Sequence, residues 1–453
     1  LIGEIAISDN DGMTAQLSGG TFQGRINATY SNVKSYLAGG YCFFDQDGKE
    51  IVLADGATSL NPEGTYTVGK PEASVTREGT TTHYATFAAA WDAAAPQIPE
   101  QEGQTSFPSA TITLLEDATD MERYFGTTLP TDVTLNISGK TLTLDKGFYL
   151  VPGSSLMIKG EASGNGQLIV RNDERGAVSI GSDDSGKICN INVENCAITV
   201  EQGPVISGGA ANVTIARSTI IDTTPGSDID RTTAISIYPN QGVEDVTLDI
   251  TNSTLSGPRA LRINPGVTAT VADNSIIRGT GTDWSAYGVQ VNGGKLIVTG
   301  TSTVIESPVE GVYLTGGTLD FQSGIIQATG NLNPSDVMVS GIVLGDSGDD
   351  STAPEATICG AVDSTQYGIR VVHGTAKIQD GASITANSEG VYLQGGKALI
   401  SGGEIMATGL EDGSYGGMGL YALGGTAEIS GSAKISGGQN GISVYQDSDP
   451  AHV

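Results

Sequence analysis

A five-residue phrase recurs down the second half of the chain. It reads Tyr287-Gly288-Val289-Gln290-Val291, then Glu310-Gly311-Val312-Tyr313-Leu314, Ser340-Gly341-Ile342-Val343-Leu344 and Tyr367-Gly368-Ile369-Arg370-Val371. It continues as Glu389-Gly390-Val391-Tyr392-Leu393, Met418-Gly419-Leu420-Tyr421-Ala422 and Asn440-Gly441-Ile442-Ser443-Val444. The glycines are spaced by 23, 30, 27, 22, 29 and 22 residues. A repeat of that length points to a solenoid, in which each unit buries its apolar side only by stacking on its neighbours. Alternation within the phrase places Val312 and Leu314 on one face and Tyr313 on the other, which is strand rather than helix periodicity. Gly316-Gly317 then interrupts the alternation and supplies the positive φ of a sharp corner. A second corner follows at Gln322-Ser323-Gly324, and Ile325-Ile326 begin a third strand. Three short strands and three corners describe one coil of a parallel β-helix. The Leu-x-x-Leu-x-Leu frame of leucine-rich repeats and the 3.6 spacing of helical repeats are both absent.

The frame extends upstream with polar corners. Lead strands are expected at Ala177–Ile180, Pro204–Ile206, Ala234–Ile237 and Ala260–Ile263, the second being the weakest match. The mean coil is about 26 residues, and ten stacked intervals at ~4.8 Å make a rod of roughly 50 Å. Second corners carry Asn or Gly before a small residue: Asn195-Cys196, Asn252-Ser253 and Asn274-Ser275 align with Gly402-Gly403 and Gly431-Ser432. Stacked asparagines there can hydrogen-bond along the rod.

Composition agrees with a corner-rich β-solenoid: 64 of 453 residues are Gly and only 16% are charged. The net charge of −29 argues against nucleic acid and anionic membranes as partners and favours solubility, cations or basic partners. Four cysteines (Cys42, Cys189, Cys196, Cys359) are too few for a disulfide scaffold. Cys196 occupies the position of Ser253 and Ser275, as a small buried thiol would, and a Cys189–Cys196 bridge is the alternative. His83, His373 and His452 lie far apart, and no Cys/His zinc spacing is present. No signal peptide and no bilayer-spanning apolar run is seen, so membrane insertion by this segment is not expected. The chain starts inside a strand-like stretch and stops just after a new coil begins, so a longer parent protein is expected.

Three regions are expected. Residues 1–70 read as the end of a preceding β-helix or β module. Tyr36–Tyr41 and Gly64–Gly69 look like closing strands, with a hairpin turn at Asp45-Gln46-Asp47-Gly48. Residues 71–106 read as a linker around one helix, Phe87 to Ala94, with Thr86 as N-cap and Phe87, Ala90, Trp91 and Ala94 on one face. Such a helix would cap the open end of the following solenoid, and Pro96 would end it. Residues 107–453 read as the parallel β-helix, truncated at the C-terminus.

Tyr84-Ala85-Thr86-Phe87 leading into Ile112–Asp117, and then Ser138-Gly139-Lys140-Thr141-Leu142, resembles right-handed β-helix repeat proteins of Gram-positive bacterial surfaces, within the pectin-lyase-like group. Leu17–Phe22 and Gly64–Gly69 are similar to the closing phrases of tandem modules in such proteins. The resemblance covers most of the chain through scaffold motifs. It implies an all-β, right-handed, three-sheet solenoid with a short N-terminal capping helix, located outside the bacterial cell, on its surface or secreted. It does not fix an activity, because that group holds lyases, hydrolases and adhesive stalks.

Hydrolases of the group carry Asn-Thr-Asp, Asp-Asp, His-Gly and Arg-Ile-Lys in that order. Here Asp349-Asp350 is followed by His373-Gly374, but the first and last motifs are missing. His373-Gly374 also aligns with the corner pairs Gly293-Gly294, Gly316-Gly317, Gly395-Gly396 and Gly424-Gly425, so a corner is the expectation and no catalytic residue is assigned. Asp9-Asn10-Asp11-Gly12 opens like a calcium loop, yet Gly20 stands where the bidentate Glu belongs. No cofactor or metal site is expected. Adventitious Ca²⁺ on Asp183-Asp184 or on Asp346 to Asp350 is the one allowance.

Two surface features could bind a partner. The first is an outward column, two residues after each lead position, carrying Tyr313, Val343, Arg370, Tyr392 and Tyr421 roughly 5 Å apart per rung. Tyr and Arg dominate protein-binding hot spots and aromatic faces suit sugar rings, although Tyr also stacks simply to stabilise a sheet. The second is an alternation of long and short loops after the third strands. The long ones run 222–231, 278–287, 328–339 and 407–417. They carry Asp228, Asp230, Asp283, Trp284, Tyr287, Asp336, Asp412 and Tyr415. Acid-plus-aromatic loops on one flank would wall a groove, and neutral loop drift gives the same pattern. The leading expectation is a non-enzymatic extracellular binding or adhesin module showing a rigid face to host glycans or secreted host proteins such as mucin or immunoglobulin. A polysaccharide lyase or glycoside hydrolase, and a passive stalk, are the alternatives.

Overall fold

The computed structural model describes residues 5–7, 15–28, 32–60, 65–96, 103–162, 166–172, 174–182, 186–225, 233–240, 242–243, 245–283, 285–330, 337–345, 353–409 and 416–445. It is a parallel β-helix of about 12 turns with one short helix near its N-terminus. Each complete coil contributes a lead, a middle and a third strand. The third strands, from Ala118–Asp120 to Lys434–Gly437, form one 13-stranded parallel sheet. Lead and middle strands belong to a 26-stranded sheet folded over a corner. Glu310–Phe321 runs unbroken through that corner, crossing at Gly316-Gly317 with Gly317 at φ +77°.

Stacking is in register, so each interior column is a run of like residues. Leu314 lies over Leu344, which lies over Val371 and then Leu393, all with no exposed surface. The recurring glycine of the repeat phrase has a steric cause, since its backbone is not in the left-handed region. A Cβ built on Gly311 would sit 2.6 Å from Ile326 Cγ2 of the same coil and 2.6 Å from the Gly341 carbonyl oxygen of the next. At Gly390 the corresponding approaches are 2.4 Å to Ile405 Cγ2 and 2.7 Å to the Gly419 oxygen. The lead strand is thus pressed against a β-branched residue of the third sheet. Upstream, Ala234 and Ala260 fill the same position.

The second corner is held by side chains. Asn195, Asn252 and Asn274 adopt φ of +53°, +48° and +62° there, a conformation asparagine tolerates better than most residues. Asn274 Nδ2 donates to Asn252 Oδ1 at 3.3 Å. Beside this runs a ladder of small residues. The Cys196 amide donates to Ser218 Oγ, the Ser218 amide to Ser253 Oγ and the Ser253 amide to Ser275 Oγ, at 3.4, 3.1 and 3.4 Å. Cys189 and Cys196 are the first residues of successive strands, both buried and with free thiols.

The helix spans Phe87–Ala94 and buries Phe87, Ala90, Trp91 and Ala94, the face read from sequence. Thr86 Oγ1 accepts from the Ala89 amide at 3.1 Å, and Arg77 donates to the Ala93 and Ala94 carbonyls at 2.9 and 3.1 Å. Trp91 packs on Phe148 and Phe87 on Phe125, with ring centroids 4.8 and 5.1 Å apart, closing the core. The segment before the helix is more than a linker. Ala73–Arg77 and Thr80–Tyr84 form a hairpin whose turn, Glu78-Gly79, has positive φ at both residues, as a two-residue hairpin turn requires. Ala73–Arg77 then pairs antiparallel with Ala110–Leu114 of the first coil.

Before the hairpin, Phe22, Ile26, Phe43, Tyr66 and Val68 belong to a second, smaller core. Gly20–Gln23 and Cys42–Phe44 both pair antiparallel with Thr65–Gly69. The Asp45–Gly48 turn forms as read, with Asp45 Oδ1 accepting from the Asp47 and Lys49 amides at 3.0 and 2.9 Å. The expected strand at Tyr36–Tyr41 does not form. Asn32 Oδ1 accepts from the Ser35 amide at 2.8 Å and caps a 3₁₀ turn over Val33–Tyr36, a local bond that competes with extended pairing.

Replacing Gly390 by Ala is expected to destabilise the chain by about 1–3 kcal/mol through overpacking. Adding Ile405→Ala, which opens space opposite the new methyl, should recover part of the loss. Gly39→Ala, whose Cβ would meet nothing within 4 Å, should stay within about 0.5 kcal/mol of the parent. Urea midpoints followed by circular dichroism distinguish these outcomes, and an unperturbed Gly390→Ala would remove the steric account of the repeat.

Candidate functional site

Strand register generates two neighbouring columns on the lead strands, the second of them largely buried. One runs Arg262, Gln290, Tyr313, Val343, Arg370, Tyr392, Tyr421 and Ser443. The other includes Tyr287, Glu310, Ser340, Tyr367, Glu389 and Met418. The column read from sequence is therefore in register. It is not an open ridge, because Val343 has no exposed surface and Tyr313, Arg370, Tyr392 and Tyr421 are half-buried.

Around Tyr313 the face sinks into a hollow of about 460 Å³ bordered by Arg259, Arg262, Tyr287, Glu310, Tyr313 and Arg370. Arg262 and Arg370 are four rungs apart in register, roughly 19 Å at the spacing of stacked strands. Among the described residues bordering the hollow, three guanidinium groups face one carboxylate, a positive balance in a chain of net charge −29. Arg370 reaches Glu310 at 3.6 Å, and its Nη1 lies 2.9 Å from Met338 Sδ. The Nε atoms of Arg262 and Arg370 are buried and reach no acceptor among the described residues.

The described part of the long loop before Tyr287 positions Arg259. Asp283 bonds the Ser285 amide at 2.9 Å and its hydroxyl, Ser285 Oγ and carbonyl both accept from Arg259, and Arg259 lies over the Tyr287 ring, 5.9 Å from its centroid. Tyr287 is the first residue of a strand rather than a loop residue. It is buried, its hydroxyl is 3.2 Å from Thr233 Oγ1, and burial pushes its pKa up. Asp228, Asp230, Trp284, Asp336, Asp412 and Tyr415, with the acidic runs at 183–184 and 346–350 and the 9–12 turn, lie outside the described residues.

Farther along, Tyr367, Tyr392 and Tyr421 stack. Their successive centroid distances are 5.2 and 5.7 Å and their planes are within 19° and 6° of parallel. Tyr367 was not among the residues expected at the site. It belongs to the neighbouring column, and its ring leans across to Tyr392. Glu389 lies beside it in register and is buried. Burial is the main cause that raises the pKa of both, with Tyr367 pushed up to about 12 and Glu389 partly offset by the Ser388 hydroxyl.

His373 sits at a corner, as the alignment of glycine pairs implied, with Gly374 at φ +89°. A second concavity, about 730 Å³, lies between the Asp45–Gly48 turn and the helix. Two of its charged groups are committed to the fold, since Arg77 serves the helix C-terminus and Asp92 pairs with Arg123 at 2.8 Å, while Asp47 and Lys49 also line it. One further cluster escaped the sequence reading. Cys42, Glu50 and His83 converge near that junction, although their spacings of 8 and 33 residues match no local metal motif. Burial and the Glu50 carboxylate push the Cys42 thiol up to about 11, opposite to what a nucleophilic cysteine needs.

The fold defines the chain as a parallel β-helix carrying an arginine- and tyrosine-lined hollow on one face. No protein-family model matches it, and neither does any curated protein or solved structure. Among the described residues, no helix is long and apolar enough to cross a membrane.

Glu389 gives a pH test. Because its folded pKa is raised, the stability it contributes is complete below the unfolded value near ~4.3 and is lost as pH rises through the folded value. Glu389→Gln should therefore raise the denaturant midpoint relative to the parent at about pH 7, and that gain should vanish near pH 4. A gain of equal size at both pH values would show that ionisation of Glu389 is not the cause.

Proposed function

We propose that this chain is a binding module, displayed outside a bacterial cell as its family resemblance implies, whose lead face takes an extended acidic glycan. Acidic sugars borne by secreted host glycoproteins such as mucin fit this reading. The observation that carries it is the hollow itself. Three arginines border a trough several rungs long, and two of them keep buried Nε donors without acceptors among the described residues. Guanidinium groups match carboxylates bidentately, and the half-buried Tyr313 offers a flat face for a sugar ring. A rigid sheet keeps these groups in place before the ligand arrives, which limits the ordering cost of binding. Glu310 is the one acid bordering the hollow among the described residues, and it is paired with Arg370. The two facing carboxylates of most glycoside hydrolases have no counterpart among the described residues bordering it.

Arg262→Ala and Arg370→Ala are each expected to weaken binding of uronate- or sialate-containing oligosaccharides about 10-fold or more, the scale of lost charge-assisted hydrogen bonds. Neutral oligosaccharides should bind weakly to parent and variants alike. Calorimetric titration measures both, and a chromatographic check for unsaturated or newly reducing ends tests for cleavage. Unaltered affinity in both variants would sink the hollow as the site, and product formation would convert the module into an enzyme.

A further inference from the structure

The strand pairing that joins the small N-terminal core to the solenoid also gathers three metal-binding side chains on one face. Phe44 pairs with Glu50 across the Asp45–Gly48 hairpin, so Cys42, two residues before Phe44, is a diagonal neighbour of Glu50 on the same side. Lys49 pairs antiparallel with Tyr84, and the Glu50 amide donates to the His83 carbonyl at 2.9 Å, which puts His83 directly opposite Glu50. One ligand atom from each of Cys42, Glu50 and His83 therefore lies within 4.8 Å of the others, and His83 Nδ1 is already 2.6 Å from Glu50 Oε2. Tetrahedral Zn²⁺ holds thiolate at ~2.3 Å and nitrogen or oxygen at ~2.0 Å, so its ligand atoms stand roughly 3.3–3.6 Å apart. Side-chain movements of about 1 Å, parting His83 Nδ1 from Glu50 Oε2 and drawing Cys42 Sγ toward both, would form the set.

We propose that Cys42, Glu50 and His83 bind one Zn²⁺ ion, with a fourth position open to water. Thiolate and imidazole together favour zinc over calcium or magnesium, which prefer all-oxygen shells. The side chains of His83 and Glu50 are 39% and 24% exposed, so an ion can enter and retain a water. Cys42 and Glu50 come from the hairpin of the small core, whereas His83 comes from the hairpin that extends the solenoid's sheet. The ion would clamp one to the other, independently of what the arginine hollow binds.

The full chain, reduced and stripped with EDTA, is titrated with ZnCl₂ by calorimetry at neutral pH. One Zn²⁺ per chain is expected, with Cys42→Ser and His83→Gln each weakening it at least 10-fold and Cys359→Ser leaving it unchanged. Co²⁺ titration of the unaltered protein needs no variant. It should give a sulfur-to-cobalt charge-transfer band in the near ultraviolet, and CaCl₂ in excess should not abolish it. Absence of stoichiometric Zn²⁺ binding, absence of the charge-transfer band, or Cys42→Ser binding as tightly as the parent would each overturn the assignment.

Discussion

The cross-section of the rod is set where the lead strand's backbone meets a β-branched side chain of the third strand. At that point the glycine or alanine leaves only enough room for Ile305, Ile326, Val362, Ile384 or Ile405 to approach. A larger residue would push two sheets apart, and the displacement would pass to every coil stacked on it. Parallel register depends on this pinch, because strands of neighbouring coils pair only if successive coils have the same girth. Insertions are tolerated at corners, where backbone leaves and re-enters the wall without altering that girth. The spread of spacings from 22 to 30 residues is thus compatible with a uniform core.

In-register stacking also organises the surface. A residue type placed at one outward position recurs within reach of the next rung, so charge and aromatic area accumulate in lines. Tyr392 over Tyr421 is nearly parallel at 6°, and Arg259, Arg262 and Arg370 face a common trough although they are up to 111 residues apart. The buried acids Glu310 and Glu389 lie in the column beside these cations and rings. Glu310 is matched by Arg370, whereas Glu389 stands next to the tyrosine stack and is raised by burial. The two ends of one face thereby acquire different chemistry from the same repeating scaffold.

Much of this was legible in the sequence because period-two alternation and glycine corners are local signals. Val312 and Leu314 inward, Tyr313 outward and the Thr86-capped helix follow from neighbours a few residues apart, and the Asn252–Asn274 ladder follows from the length of one coil. The hollow was only half legible. Tyr313 and Arg370 fell in the readable column and Tyr287 was read as a loop residue, but Arg259 precedes its repeat phrase and is held by a loop that folds back by way of Asp283 and Ser285. Tyr367 was missed because its ring crosses between columns, a direction no alternation rule contains. The Ala73–Tyr84 hairpin had a usable signal in Glu78-Gly79, whereas the Cys42–Glu50–His83 cluster had none, since it arises from pairing between two separate cores.

The antiparallel hairpin at the N-terminal end gives the rod a direction. Every coil from Ala110 onward offers its neighbour a parallel edge, yet Ala73–Arg77 meets the first coil head to tail and the Phe87–Ala94 helix plugs the lumen with Trp91. The parallel wall of lead and middle strands therefore ends there in an antiparallel hairpin, with Thr80–Tyr84 outside Ala73–Arg77. The described rod is thereby unlike at its two ends: one carries an antiparallel hairpin and a plugged lumen, the other a parallel strand at Asn440–Val444.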